Sequence, residues 1–115
     1  MQLQGQSKLL RIFTGEADKI GHRLLYEAIL IAAREKGLAG GTVLKGIMSY
    51  GASSHIHLAR LIDLSEDMPI VIEIVDHAEK IDNFLPVVND LFDECGRGGL
   101  ITVETVEVLY YKPKK

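Results

Sequence analysis

Residues 69–95, PIVIEIVDHAEKIDNFLPVVNDLFDEC, join a strand-like run directly to a helical one. Pro69–Val75 is short, apolar and rich in β-branched residues, and its proline stands first, where a missing N–H donor costs least. This run predicts a buried, central strand. After it, Asp76 and Glu79 have capping-box spacing, which predicts that a helix begins at once. The apolar residues of that helix recur at helical spacing: Ile81, Phe84, Leu85, Val88, Leu91, Phe92 and Cys95.

The rest of the chain supplies three more strand-like runs and one more helical run. In chain order they are strand Lys8–Thr14, helix Asp18–Lys36, strand Thr42–Met48 and strand Leu100–Tyr111. The complete order is therefore β-α-β-β-α-β. It predicts an α+β ferredoxin-like sandwich, a four-stranded antiparallel sheet with two helices on one face. The length of 115 residues suits one such domain, residues 1–115.

The last predicted strand changes its apolar parity along its length. Ile101 and Val103 share one parity, whereas Val106 and Val108 share the other. Because successive side chains of a strand point to opposite faces, we expect a bulge or break near Glu104–Thr105.

Two features of the predicted fold indicate interactions with other molecules. Two helices cover only one face of the sheet, and an apolar sheet face rarely stays exposed on a monomer, so self-association is expected. The connection Ser49–Met68 is too long for an ordinary turn. We interpret it as a functional loop.

Composition excludes several classes of protein. Hydrophobic residues make up 47% of the chain, charged residues 25%, and the net charge is −3, which offers nucleic acid no general attraction. The apolar runs are far shorter than the ~20 residues of a membrane-spanning helix. Cys95 is the only cysteine, and MQLQGQSKLL lacks the apolar core of a signal peptide, so a cytoplasmic protein is expected.

Three glycines and an arginine, Gly96, Arg97, Gly98 and Gly99, precede the last strand. Closely spaced glycines allow successive backbone N–H groups to point into one concavity that binds phosphate, and an arginine side chain can complete the site. Glycine also caps helices and forms turns, so the loop by itself supports a structural role equally well.

The segments GLAGGTVLKGIMSYG (37–51), PIVIEIVDHAEKID (69–82) and GRGGLITVETVE (96–107) resemble PII-like signalling proteins, most closely their uncharacterised branch, domain of unknown function family 190. The resemblance runs from about Lys8 to Tyr111. It implies a non-enzymatic homotrimer whose sheets face inward. It also implies that ADP or ATP binds in the clefts between subunits, and that the loop 49–68 is a mobile element that signals to a protein partner such as a transport or membrane protein.

The same resemblance assigns the candidate nucleotide-binding residues. Phosphates would meet the 96–99 loop, and the base or ribose would meet Gly40, Gly41 and Thr42. Gly51 would stand where the mobile loop leaves the second strand. The chain departs from the family pattern in two places: Leu100 replaces a usual lysine, and the arginines usual after the last strand are absent. Lys112, and less readily Lys114 or Lys115, would supply the missing charge.

Two alternatives remain open. His55 and His57 are spaced to face one side of a strand, which keeps a metal-binding or purely structural trimer of the CutA type in view, although zinc sites require further ligands. The other alternative is a small ferredoxin-like enzyme in which His55 or His57 acts as a base.

Overall fold

Four strands form one antiparallel sheet, and two helices pack on one of its faces. The computed structural model describes residues 5–50, 57–58 and 68–113, with residues 57–58 described by their backbone. In chain order the elements are β1 (Gly5–Gly15), β2 (Lys19–Ile20), β3 (Arg23–Leu24), α1 (Leu25–Glu35), β4 (Thr42–Lys45), β5 (Met48–Ser49), β6 (His57–Leu58), β7 (Pro69–Asp76), α2 (Ala78–Cys95) and β8 (Leu100–Val108). The main sheet has the strand order β4-β7-β1-β8. The predicted α+β ferredoxin-like fold is therefore confirmed.

The core lies between the helices and the two central strands. β1 and β7 pair from Lys8↔Asp76 to Gly15↔Pro69, and this register places their large aliphatic residues opposite one another on the helix side. Ile12 and Ile72 are directly opposed, and neither is exposed to solvent. The buried core comprises Leu10, Ile12, Leu25, Ile29, Ala33, Ile70, Ile72, Ile74, Ile81, Phe84 and Val88. Burial of this set drives the helices onto the sheet.

The opposite face of the sheet carries a charged group at its centre. Nε of Arg11 donates to Glu73 Oε2 at 2.8 Å, and Nη1 of Arg11 donates to Glu104 Oε1 at 2.7 Å. The hydrogen bond with Glu73 is the main reason that the pKa of the Arg11 guanidinium is raised. Half-buried or exposed apolar side chains of this face surround the charges: Leu9, Phe13, Val71, Val75, Leu44, Leu100, Val106 and Val108. No helix among the described residues covers this face.

The first helix begins later than predicted. The sequence predicts a helix from Asp18, but residues 18–24 form a turn and the short β2–β3 hairpin, and α1 starts at Leu25. The hairpin turns at Gly21, whose φ of 60° is left-handed and suits glycine. The main-chain carbonyl of Asp18 accepts the N–H of Leu25 at 2.8 Å. Ile20 packs against the core from the hairpin, as it would from a helix. Its position in the apolar pattern therefore does not distinguish the hairpin from the predicted helix.

The second predicted strand, Thr42–Met48, is also wrong in extent. β4 ends at Lys45, and the last bond to β7 runs from Gly46 N–H to Pro69 O at 2.8 Å. Pro69 has no N–H to continue the ladder. Met48–Ser49 instead pairs with His57–Leu58 in a separate two-stranded sheet. Of the predicted loop 49–68, residues 51–56 and 59–67 lie outside the described residues.

The bulge predicted near Glu104–Thr105 is absent from β8, which is described throughout. β8 pairs with β1 without interruption from Gly5↔Val108 to Phe13↔Leu100. Ile101 is opposite the buried Ile12 and so faces the helices, whereas Val106 and Val108 lie on the opposite face. Both faces of the sheet carry apolar residues, and the change of parity therefore needs no kink.

Asp76 does not form the predicted capping box, because its side chain bonds elsewhere. The N-cap residue of α2 is His77, and no side chain caps this helix. The Asp76 carboxylate, fully buried, accepts the N–H of His77 at 2.7 Å and the N–H of Ala39 at 2.8 Å. It therefore joins the start of α2 to the α1–β4 connection. Neither α1 nor α2, the two helices of the described residues, is long and apolar enough to cross a membrane.

Replacing Asp76 by alanine should destabilise the fold by about 2–4 kcal/mol, because two part-buried backbone N–H groups lose their acceptor. Urea unfolding at fixed protein concentration measures this change. The matched control is Asp82→Ala, since Asp82 is half-exposed and pairs with Lys8 at 2.8 Å at the surface. Asp82→Ala should lower the free energy of unfolding by less than about 1 kcal/mol. Equal effects of the two substitutions would contradict the assigned role of Asp76.

Candidate functional site

The predicted phosphate loop, residues 96–99, connects α2 to β8 beside an open cavity of about 490 Å³. Gly96 ends the helix with φ of 75°, and its N–H donates to Phe92 O at 2.8 Å. Gly98 also has a left-handed φ, 80°. The cavity is lined by Asn89, Phe92, Asp93, Gly96, Gly98, Gly99 and Ile101.

Gly99 is required by close packing. A Cβ atom at this position would lie 2.7 Å from the carbonyl oxygen of Phe13 and 2.9 Å from Cζ of Phe92. The backbone of β1 cannot move aside without disturbing the ladder to β8. Each of the three glycines thus has a conformational or steric reason to be present, independent of any ligand.

The charge around this loop is unfavourable for an anion within one chain. The loop follows the C-terminal end of α2, which carries the negative end of the helix dipole. The last turn of this helix contains Asp93 and Glu94 and no basic residue. Arg97 is the cation of the loop, with its side chain 69% exposed and its Nε 4.0 Å from Asp18 Oδ1. A phosphate at this loop needs Arg97 and further positive charge from elsewhere.

Three other predicted residues line a separate cleft of about 500 Å³ on the helix-free face of the sheet. Gly40, Gly41 and Thr42 border it at the start of β4, and Tyr110 and Tyr111 border it after β8. Leu9, Val75 and Val108 give the cleft an apolar floor, and Glu73 adds a carboxylate. The cleft combines an apolar surface, two aromatic rings and accessible glycine backbone, a combination that suits a flat heterocycle.

Sequence reasoning missed the tyrosines as members of the site. Tyr110 is 76% exposed, and an exposed tyrosine beside apolar sheet residues is a signal of recognition. In the sequence, the sign of this feature is the adjacent pair Tyr110–Tyr111, which stands directly before the predicted Lys112. Lys112 itself is exposed beyond the cleft.

The two parts of the predicted site lie at opposite edges of the sheet. Gly40–Thr42 lead into the edge strand β4, and Gly96–Gly99 lead into the other edge strand β8. β7 and β1 separate these edges, which corresponds to roughly 14 Å across the sheet. The fold of one chain therefore does not bring the two parts together.

Three further predicted residues, Gly51, His55 and His57, fall between β4 and β7 in the sequence. Gly51 and His55 lie outside the described residues, and His57 belongs to β6. Among residues 5–50, 57–58 and 68–113, no group of three or more His, Cys, Asp and Glu side chains is arranged to hold a metal ion.

The steric role of Gly99 gives a direct test. Gly99→Ala should destabilise the fold by about 1–3 kcal/mol, because the new Cβ overlaps Phe13 and Phe92. Gly40→Ala is the matched control, since a Cβ at Gly40 meets no atom within 4 Å. Thermal unfolding of both variants measures the difference. A Gly99→Ala variant as stable as Gly40→Ala would contradict the packing described for the loop.

Comparisons with known proteins identify the family. The family model DUF190, described as "Uncharacterized ACR, COG1993", matches residues 7–108. A UPF0166 protein of Aquifex aeolicus (strain VF5) is 40% identical over 105 residues, which cover 91% of this chain and 95% of that protein. A UPF0166 protein of Methanocaldococcus jannaschii is 33% identical over 103 residues, covering 90% and 92%.

Solved structures show the same fold at low sequence identity. CPII, a nitrogen regulatory PII-like protein from Thiomonas intermedia K12 bound to ADP, AMP and bicarbonate, matches with a TM-score of 0.67 and 19% identity over 90% of this chain and 88% of that chain. A structure of CPII bound to ADP and bicarbonate matches with a TM-score of 0.64 and the same identity and coverage. The predicted resemblance is confirmed: the chain belongs to the DUF190 family and has the PII-like fold.

Proposed function

We propose that this protein is a homotrimeric PII-like regulator that binds ADP or ATP between neighbouring subunits and acts by binding rather than by catalysis. The observation that carries the proposal is the separation of the two candidate clusters to opposite edges of the sheet. The two clusters also open in different directions, one beside α2 and the other on the helix-free face, so we expect a ligand that uses both to contact two copies of the chain.

This arrangement also favours a ring. An interface that joins the β8 edge of one copy to the β4 edge of the next uses two different surfaces and is heterologous. Heterologous contacts generate a closed ring when the rotation between copies closes. A trimer would place the uncovered sheet faces inward, where Leu9, Phe13 and Val71 gain the cover that the helices do not provide.

Each cluster has a chemical role in this proposal. The N–H groups of the glycine loop and the Arg97 guanidinium bind phosphate, and the tyrosine-lined cleft of the neighbouring subunit receives the base. Lys112 follows Tyr111 and so adds positive charge from the neighbour, which offsets the acidic end of α2. Leu100, which replaces a lysine usual in the family, leaves Arg97 with a larger share of the phosphate contacts.

The structural neighbours support the choice of an adenine nucleotide, since CPII is bound to ADP and AMP.

We further propose that nucleotide occupancy is reported to a protein partner, such as a transport or membrane protein, through the connection 49–68 between β4 and β7. The lone free Cys95 agrees with the reducing cytoplasm expected for such a regulator.

Arg97→Ala should weaken ADP and ATP binding by roughly 1.5–3 kcal/mol, because a charge-assisted hydrogen bond to phosphate is lost. Isothermal titration calorimetry of the wild type and the variant measures this loss. Adenosine lacks phosphates, so its affinity should not respond to Arg97→Ala. Arg23→Ala is the matched control, since Arg23 is exposed and lines neither cleft.

Two outcomes would contradict the nucleotide proposal. One is the absence of wild-type binding at millimolar ADP and ATP. The other is ADP binding that Arg97→Ala leaves unchanged, which would mean that the glycines serve only the turn.

The assembly is tested separately by light scattering coupled to size-exclusion chromatography. At micromolar concentration we expect three times the chain mass of 12.7 kDa. Val71→Glu should reduce this mass, because it places a further carboxylate on the face that already carries Glu73 and Glu104. A wild-type monomer under these conditions would overturn the proposed trimer.

A further inference from the structure

The turn Gly15–Asp18 contacts both ends of the connection between β4 and β7. The N–H of Glu16 donates to Met68 O at 2.8 Å, at the end that leads into β7. The carboxylate of Glu16 lies 3.0 Å from Lys45 Nζ, at the end that leaves β4. The two ends also meet each other through the bond from Gly46 N–H to Pro69 O. One short turn thus holds both ends in place.

The same turn also reaches the glycine loop. The Asp18 side chain is 93% buried, and its Oδ2 accepts the N–H of Gly15 at 2.9 Å. Its Oδ1 lies 4.0 Å from Nε of Arg97. Asp18 is therefore the point at which the candidate phosphate loop touches the turn that holds the β4–β7 connection.

The contact between Asp18 and Arg97 is well suited to competition. A buried carboxylate is poorly solvated and gains from a nearby cation, so Asp18 attracts Arg97. The separation of 4.0 Å is at the limit of an ion pair, and the Arg97 side chain is 69% exposed, so the pair is loose. A phosphate offers more oxygen acceptors and admits two parallel hydrogen bonds from the guanidinium. A phosphate bound at the glycine loop would therefore compete with Asp18 for the same side chain.

We propose that Asp18 holds Arg97 in competition with bound phosphate, and that a nucleotide phosphate draws Arg97 away from it and so loosens the turn Gly15–Asp18. This inference rests on the proposed nucleotide function and names the residues that connect the glycine loop to the two ends of the β4–β7 connection. The described contacts run from Arg97 to Asp18 and from Asp18 to Gly15, and the adjoining residue Glu16 contacts Lys45 and Met68.

The first test is Asp18→Asn, which removes the charge but keeps an oxygen to accept the N–H of Gly15. ADP should bind about two- to fivefold more tightly, the scale of a loose ion pair, because Arg97 no longer has a competing anion. In the Arg97→Ala background the same substitution should leave the affinity unchanged. Glu16→Gln, in the same turn but without a contact to Arg97 among those described, is the matched control and should leave ADP affinity within about twofold of the wild type.

The second test follows amide hydrogen exchange by NMR. Saturating ADP should speed exchange of the Glu16 and Gly46 amides about two- to fivefold, because the turn has lost the Arg97 contact. The amide of Lys36, which donates to Ala32 at the end of α1, should not respond. A purely structural Asp18 would leave the exchange independent of ADP and would make Asp18→Asn bind ADP equally or more weakly.

The failures of the two proposals are distinguishable. If the wild type binds ADP but Asp18→Asn does not tighten binding, or the two amides do not respond, this inference is overturned and the nucleotide function stands. If the wild type binds no ADP, the nucleotide function fails, and the Asp18–Arg97 link is decided by a double-mutant cycle in urea. The cycle combines Asp18→Asn with Arg97→Ala. We expect their joint effect on the unfolding equilibrium constant to differ about two- to fivefold from the product of their separate effects. Strict additivity of the two free-energy changes would overturn the link.

Discussion

The antiparallel register between β1 and β7 is the constraint on which the rest of the structure depends. It places the aliphatic residues of both strands on the helix side and pairs Arg11 with Glu73 on the other side. A slip of one residue would exchange the faces, exposing the core and burying the charges. The same register brings Gly15 beside Pro69 and so fixes the turn that holds the β4–β7 connection. The core and the candidate signalling contacts thus follow from one pairing.

Periodicity was sufficient to predict the order of the two helices and the four strands of the main sheet, because each contains an apolar run of helix or strand type. It failed at residues 18–24, where Ile20 reaches the core equally well from a helix or from the β2–β3 hairpin. It also failed at β8, since apolar residues on both faces of a sheet imitate a bulge. Both errors arise because a pattern records which side chains are apolar but not which partner covers them.

The candidate site was less accessible to sequence reasoning than the fold. The glycine loop was visible because its composition is unusual, but its glycines also satisfy the helix end and the contact with Phe13. The cleft with Tyr110 and Tyr111 was not predicted, because it depends on how the segment after β8 returns to the sheet face. The role proposed for Asp18 depends on a distance between residues far apart in sequence, which no local pattern encodes.

β8 has a further consequence as a nine-residue edge strand. A long edge with unpaired N–H and C=O groups is a template for uncontrolled addition of further strands, and natural proteins oppose this with charge. Glu104 and Glu107 place two negative charges on β8, and Glu104 is further fixed by Arg11. Two β8 edges brought together would repel one another. We therefore expect these glutamates to oppose aggregation through this edge and to limit the partners that can extend the sheet.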